Sequence, residues 1–252
     1  MPYFSGQGKV YIAPATAGVP GIFRYVGNCP TLSVALETQT LEHKESVSGQ
    51  RLIDVEIITQ KKATFTMVLE EFTAKNLALA LYGADSTISG STVVNEATPT
   101  GMVATDIYRT VYPKISSVVI TDSAGTPATL TLGTHYTITS ADHGIITIDN
   151  VASFTQPFLI DYAYAASGNV NMLTQGLAAK WVVFAGLNTA DLDTANKPVR
   201  VELYRTRFNP ITNLSLIGDE LMSMELQGSV LYDATKAADA VLGQFGRILL
   251  IS

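Results

Sequence analysis

Between Lys62 and Glu70 the chain alternates. Ala63, Phe65, Met67 and Leu69 fall on one parity and Lys62, Thr64, Thr66 and Glu70 on the other, the period of two that turns one strand face to a core and the other to water. Val68 is the one apolar residue on the wet side. At Phe72 the period changes. Thr73 predicts an N-cap whose hydroxyl accepts from the amide of Asn76, with Phe72 and Leu77 at the ends of a hydrophobic staple. Gly83 predicts a left-handed stop. The expected helix covers about residues 73–82, roughly three turns at ~1.5 Å per residue. A helix this short is marginal alone, so Phe72, Leu77 and Leu81, with Ala78 and Ala80, are expected to seat it on a sheet.

The same reading predicts strands at Gly8–Ala13, Thr31–Glu37, Lys180–Leu187, Val199–Phe208 and Phe245–Ile251, and a hairpin of Leu214–Ile217 with Met222–Val230 around Gly218 and Asp219. In Val199–Phe208, Val199, Val201 and Leu203 are expected to face in, with Arg200, Glu202 and Tyr204 out. Thr235–Leu242 reads as a short Ala-rich helix. Thr38–Leu52 carries Glu42, His43, Lys44, Glu45 and Arg51 with almost no apolar residue. It reads as a long polar loop, either a partner-binding element or a solvated hairpin tip. Ala84–Ala104 is rich in Ser, Thr and Gly and reads as a linker. From Ile115 to Ala165, short strand-like runs recur with turn signals every eight to twelve residues or so, the spacing of a compact all-β unit. The predicted class is mainly β: an antiparallel β-sandwich or half-barrel flanked by one short α-helix, with a small all-β insertion. Residues 1–105 and 167–252 form the two halves of the parent domain and 106–166 the insertion.

Composition narrows the function classes. Of 252 residues, 47% are apolar and 15% charged, with a net charge of −6. That composition excludes disorder and argues against sequence-independent gripping of duplex phosphates. Cys29 is the only cysteine, so no intramolecular disulfide is expected. The N-terminal run lacks a signal-peptide layout, and no apolar run approaches the ~18 residues that span a bilayer. Cytoplasmic synthesis and no membrane partner are therefore expected.

Candidate chemistry is sparse. His43, His135 and His143 share no ligand spacing, so no metal is expected. Gly6 and Gly8 open a glycine motif, but Tyr11 takes the place of its third glycine, so no dinucleotide cofactor is expected. Asp191 and Asp193 resemble the start of a calcium loop, but Ala195 stands where the third ligand belongs. Lys197, Arg200, Arg205 and Arg207 are the densest basic patch, and strict alternation would split Arg205 and Arg207 from Arg200. No catalytic residue and no enzymatic activity are expected. A glycan-cleaving β-sandwich with scattered carboxylates, and a non-enzymatic binding module of a virion or cell surface, stay open as alternatives.

The order of these features resembles the major tail tube proteins of long-tailed bacteriophages. The residues that carry the resemblance are the G-x-V-Y-I-A opening at Gly8–Ala13, the strand Leu32–Leu36, the polar loop, the KKATFTMVLEEFTAKNLALALYG block and the closing IGDELMSMELQGSVLYD segment. The middle unit, with TDSAGTPATLTLGTHYTI and DYAYAAS, is similar to inserts in some of them. The resemblance implies six copies joining into a ring, and rings stacking into a hollow tube that conducts the genome from the virion tail. It implies assembly in the bacterial cytoplasm, and tape measure, tail terminator and tail tip proteins as partners. It matches Thr38–Leu52 to the loop by which such subunits reach a neighbour. DNA would pass without specific binding, along a bore for which Glu37, Glu56, Glu70, Glu202 and Glu225 are the acidic candidates.

Overall fold

The computed structural model describes residues 3–151, 153–190, 197–236 and 239–251. It is mainly β with one short α-helix, and its antiparallel sheets make a β-sandwich-like fold. The chain divides into two compact units, residues 1–84 with 170–252, and residues 85–169. In the first unit come β1 (Gly6–Thr16), β2 (Val19–Pro20), β3 (Arg24–Tyr25), β4 (Thr31–Lys44), β5 (Ile53–Leu69) and α1 (Ala74–Ala80). The second carries β6 (Asp85–Ile88), β7 (Ser91–Ala97), β8 (Ile107–Arg109), β9 (Ile115–Thr121), β10 (Tyr136–Ser140), β11 (Ile145–Ile148), β12 (Leu159–Tyr164) and β13 (Ser167–Val170), whose last residue falls in the first. The first unit resumes with β14 (Lys180–Asn188), β15 (Lys197–Phe208), β16 (Met224–Val230) and β17 (Gly246–Leu250).

Among the described residues, the first unit builds one sheet in the order β2-β1-β14-β15-β16-β5-β4, with β17 paired to β15 and β3 to β1. One face is the core. Ala63, Phe65, Met67 and Leu69 of β5 join Met224 and Leu226 of β16, Val182 of β14 and Val10 and Ile12 of β1 in a single buried cluster. The alternation read from the sequence is the burial pattern observed on β5.

The helix is shorter than its signal. Thr73 caps it as expected, its hydroxyl accepting from the amide of Asn76 at 3.3 Å, but it ends at Ala80 after two turns. Tyr82, not Gly83, takes the left-handed conformation, at φ 51°. The Gly83 amide donates to the Ala78 carbonyl at 2.9 Å, a closing bond that caps the C-terminus. Gly83 is needed for another reason: a Cβ there would lie 1.8 Å from the Asn171 carbonyl oxygen. Ala80 enters the core and Leu77 and Leu79 pack against it. Phe72 is exposed and Leu81 lies outside the cluster, so two of the three expected seating residues do not seat the helix. Phe72 precedes the cap, where Glu71 receives the Asn28 amide, and Leu81 has already left helical geometry.

Asn76 does the anchoring that Phe72 was expected to do. Its buried amide donates to the Val26 carbonyl at 2.8 Å and the Glu71 carbonyl at 2.9 Å, and accepts from Arg24 at 2.7 Å. Replacement by Ala leaves the buried Val26 carbonyl without this donor, so Asn76→Ala is expected to cost about 2–4 kcal/mol. Denaturant titration of the full chain checks this, and a loss under ~0.5 kcal/mol, the scale of an ordinary surface substitution, would contradict it.

The insertion is larger than its turn signals indicate. The segment Ala84–Ala104, read as a linker, contains β7, which pairs with β12, and Met102, which lies in the insertion's own core. The boundary therefore falls at Asp85 rather than 106, and at Asn169 rather than 166. Small Ser and Thr side chains hid a strand whose partner lies more than sixty residues further along. Its sheets, β7-β12-β9 and β10-β11-β8, supply one buried cluster. Glu96 bolts them together: it accepts from Tyr108 of β8 at 2.8 Å, from the Val111 amide at 2.9 Å and from Tyr162 of β12 at 2.5 Å.

Asp122 ties a turn in the same way. Its carboxylate accepts from the amides of Ala128 at 2.6 Å, Thr155 at 3.2 Å and Ala124 at 3.4 Å. These bonds, that of Ala128 first, hold its pKa below the usual carboxylate value. The stability they supply is full above the unfolded pKa of about 3.9 and is lost as pH falls through the lower folded value. Protection factors of the insertion's amides in the full chain, taken relative to the intrinsic exchange rate at each pH, should therefore fall on acidification through that window. Asp122→Asn should flatten the response, and an unchanged pH slope in the variant would refute the assignment.

Two other expectations change. Leu214–Ile217 forms no strand, so the predicted closing hairpin is β16 alone after an irregular stretch, and Thr235–Leu242 opens with one turn of 3-10 helix at Ala234–Lys236. The calcium-like residues 191, 193 and 195 lie outside the described residues.

Candidate subunit interface

The predicted polar loop is mostly strand. Residues Thr38–Lys44 belong to β4 and pair with β5 as far as Ile53, so only 45–52 form a turn. Strand β16 reaches β5 no further than Ala63. Beyond that row, β4 and β5 continue as a two-stranded arm with exposed residues throughout. Sequence reasoning missed the far half of β4 because its run Thr38–Lys44 carries a single apolar residue, Leu41, and so lacks the alternation that marks a strand.

Of the five residues assigned to the loop, Glu42, His43 and Lys44 lie on β4, and Glu45 and Arg51 in the turn. Glu45 organises that turn, accepting from the Ser48 hydroxyl and from the amides of Val47 at 2.6 Å and Ser48 at 2.8 Å. Those bonds, the Ser48 hydroxyl first, lower its pKa to about 2. His43 Nδ1 lies 2.6 Å from Asp54 Oδ1 across the arm. Arg51 sits at φ 51°.

Register decides where side chains point, because residues directly opposed in an antiparallel ladder share a face. Opposite the core, β4, β5 and β16 present Ser33, Thr66 and Gln227 in one row, then Ala35, Thr64 and Ser229, then Glu37 and Lys62. None of these belongs to a buried cluster. This face is polar and uncovered among the described residues. Glu37 lies 3.4 Å from Lys62 and Glu225 accepts from Gln227 at 2.8 Å.

The acidic candidates separate accordingly. Glu37 and Glu225 lie on the polar face. Glu56 does not: between the Gln39–Gln60 and Thr40–Ile58 pairs β5 carries an extra residue, which reverses the parity and places Glu56 beside Glu42 on the core side of the ladder. Glu70 lies past the end of β5, where it accepts from the Asn28 side chain. Glu202 is buried instead of outward, because β17 brings Arg247 to 2.7 Å from it and Arg200 stands at 3.0 Å. That contact also raises the Arg247 pKa, chiefly through its hydrogen bond to Glu202.

A second bulge corrects the arginines. Val182 pairs with Leu203 and Lys180 with Thr206, so β15 carries one extra residue there. Leu203 and Phe208, of opposite parity, both enter the core. Arg205 and Arg207 consequently fall on the side of Arg200. Strict alternation had divided them. Arg205 donates to the Tyr232 carbonyl at 3.3 Å.

Among the described residues, no group of three or more His, Cys, Asp or Glu is placed to hold a metal. His135 and His143 serve turns, accepting the Thr131 amide and bonding the Ser140 hydroxyl. No helix among the described residues is long and apolar enough to cross a membrane.

Fold and surface together define an antiparallel β protein with its main core on one face, a polar open stretch over β4, β5 and β16 on the other, a second small buried cluster of Ala13, Trp181 and Tyr204, and a protruding two-stranded arm. A family model matches residues 3–249, and the chain belongs to the family described as Protein of unknown function UCP028589. No curated protein matches the chain.

Proposed function

We propose that this chain is a structural subunit of a phage tail tube, joining six-membered rings that stack into a conduit for DNA. The observation that carries the reading is the arm: about twenty residues extend beyond any core that could hold them, exposing Leu41, Val55, Ile57 and Ile58 to water. Such a ribbon is a liability in a monomer and a natural contact in a polymer. Among the described residues the outer edge of β4 is likewise unpaired in the sheet order, and pairing with a neighbouring copy would remove it. The polar face suits a bore: Glu37 and Glu225 are offset by Lys62 and Arg207, so the wall is near neutral and DNA slides without being gripped. In this reading the protein works in the virion tail, alongside tape measure, terminator and tip proteins, and has no catalytic role. Negative-stain microscopy at rising protein concentration should reveal rings and then tubes. Particles with the mass of one chain at every concentration would overturn the proposal.

A further inference from the structure

We infer that the arm of one copy docks in an apolar groove on the core side of the next copy's sheet, making the contact head to tail. The inference deepens the assembly reading above and rests on it. Strand β17 lies in the lane of β16: β15 pairs with β16 through Thr206–Phe208 and with β17 through Val199–Leu203. The lower half of β5 has no ladder to β17. Between the two lies a cavity of about 380 Å³ lined by Val34, Leu36, Val201, Leu203 and Ile248. Leu36 is 79% exposed and Ile248 66%.

The arm carries the matching surface. Leu41 pairs with Ile57 and His43 with Val55, and parity along β4 places these rows opposite Leu32, Val34 and Leu36. This face is polar at the base of the sheet, through Ser33, Ala35 and Glu37, and turns apolar on the arm. Leu41 is 61% exposed and Ile57 55%.

Groove and arm face opposite sides of the same β4–β5 ladder. A ribbon cannot lay one face on the reverse of the sheet it continues, so the apolar row cannot reach its own groove. It can reach that of a second copy, as one sheet stacked on another at ~10 Å. Two different patches of one chain then meet, a heterologous contact that closes into a ring when the rotation permits.

Mixing tests this. An arm variant, Leu41→Asp with Ile57→Asp, and a groove variant, Leu36→Asp with Ile248→Asp, should each be monomeric by light scattering, with unchanged circular dichroism. Each retains the half that the other lacks, so an equimolar mixture should form 1:1 dimers and nothing larger. In a Cys29→Ser background, Ile57→Cys mixed with Leu36→Cys should cross-link on oxidation, while Ile57→Cys with Ser33→Cys should not. The cross-link reports the contact even if the aspartate variants misfold. Tubes formed by wild type and both aspartate variants alike would overturn the inference and leave the tail tube reading standing. Pairing of the variants without wild-type tubes would do the reverse. Absence of both pairing and cross-link overturns the docking.

Discussion

Removing the arm is expected to abolish assembly while leaving the fold intact. Joining Thr38 to Lys61 through a two-residue Asn-Gly turn deletes 39–60, where every residue but the half-buried Glu45 is exposed, and touches no member of the core cluster. The cut must lie at that row. Deleting Thr38–Leu52 alone, as a polar loop would invite, strips the partner from Ile53–Lys61 and leaves half a ribbon unpaired. Stability should change by no more than about 1 kcal/mol, since loop closure depends only weakly on length. Sedimentation should show a single species with one chain's mass under conditions where the intact protein is expected to form rings. Tubes of normal diameter from the shortened chain would remove the arm from the interface.

Placing any side chain at position 228 is expected to be among the most damaging single changes in the first unit. Gly228 stands between Phe65 of β5 and Phe208 of β15 in one continuous row. Both rings are buried and meet edge to face above it, their centroids 4.8 Å apart at 79°, an arrangement that contributes about 0.5–1.5 kcal/mol beyond area burial. Each aromatic fills space that the glycine leaves empty. A Cβ at 228 would lie 2.2 Å from the Arg207 carbonyl oxygen and 2.6 Å from the Phe65 ring. Backbone cannot give way as a surface side chain can. Gly228→Ala should therefore cost about 3 kcal/mol through overpacking. For a domain of this size that corresponds to a melting-temperature fall of roughly 6–12 °C. A shift below ~2 °C would show that the ladder relaxes around the methyl group.

What the sequence determined by itself was local. The alternation of Ala63, Phe65, Met67 and Leu69 placed the core face, and Thr73 with Asn76 placed the helix start, because strand period and capping involve residues a few positions apart. The mainly β class and the existence of an inserted unit followed from the same short-range signals. Other features depended on pairings between distant residues, and only the tertiary structure decided them. Glu202 reads as an outward carboxylate until β17 sets Arg247 beside it, 45 positions later. The stretch before residue 106 reads as a linker until β12 pairs with β7. One extra residue in β5 turned Glu56 to the other face, and one in β15 gathered three arginines that alternation had divided. A bulge shifts every later side chain by half a period, yet it arises from how two strands fit together, so neither strand announces it alone.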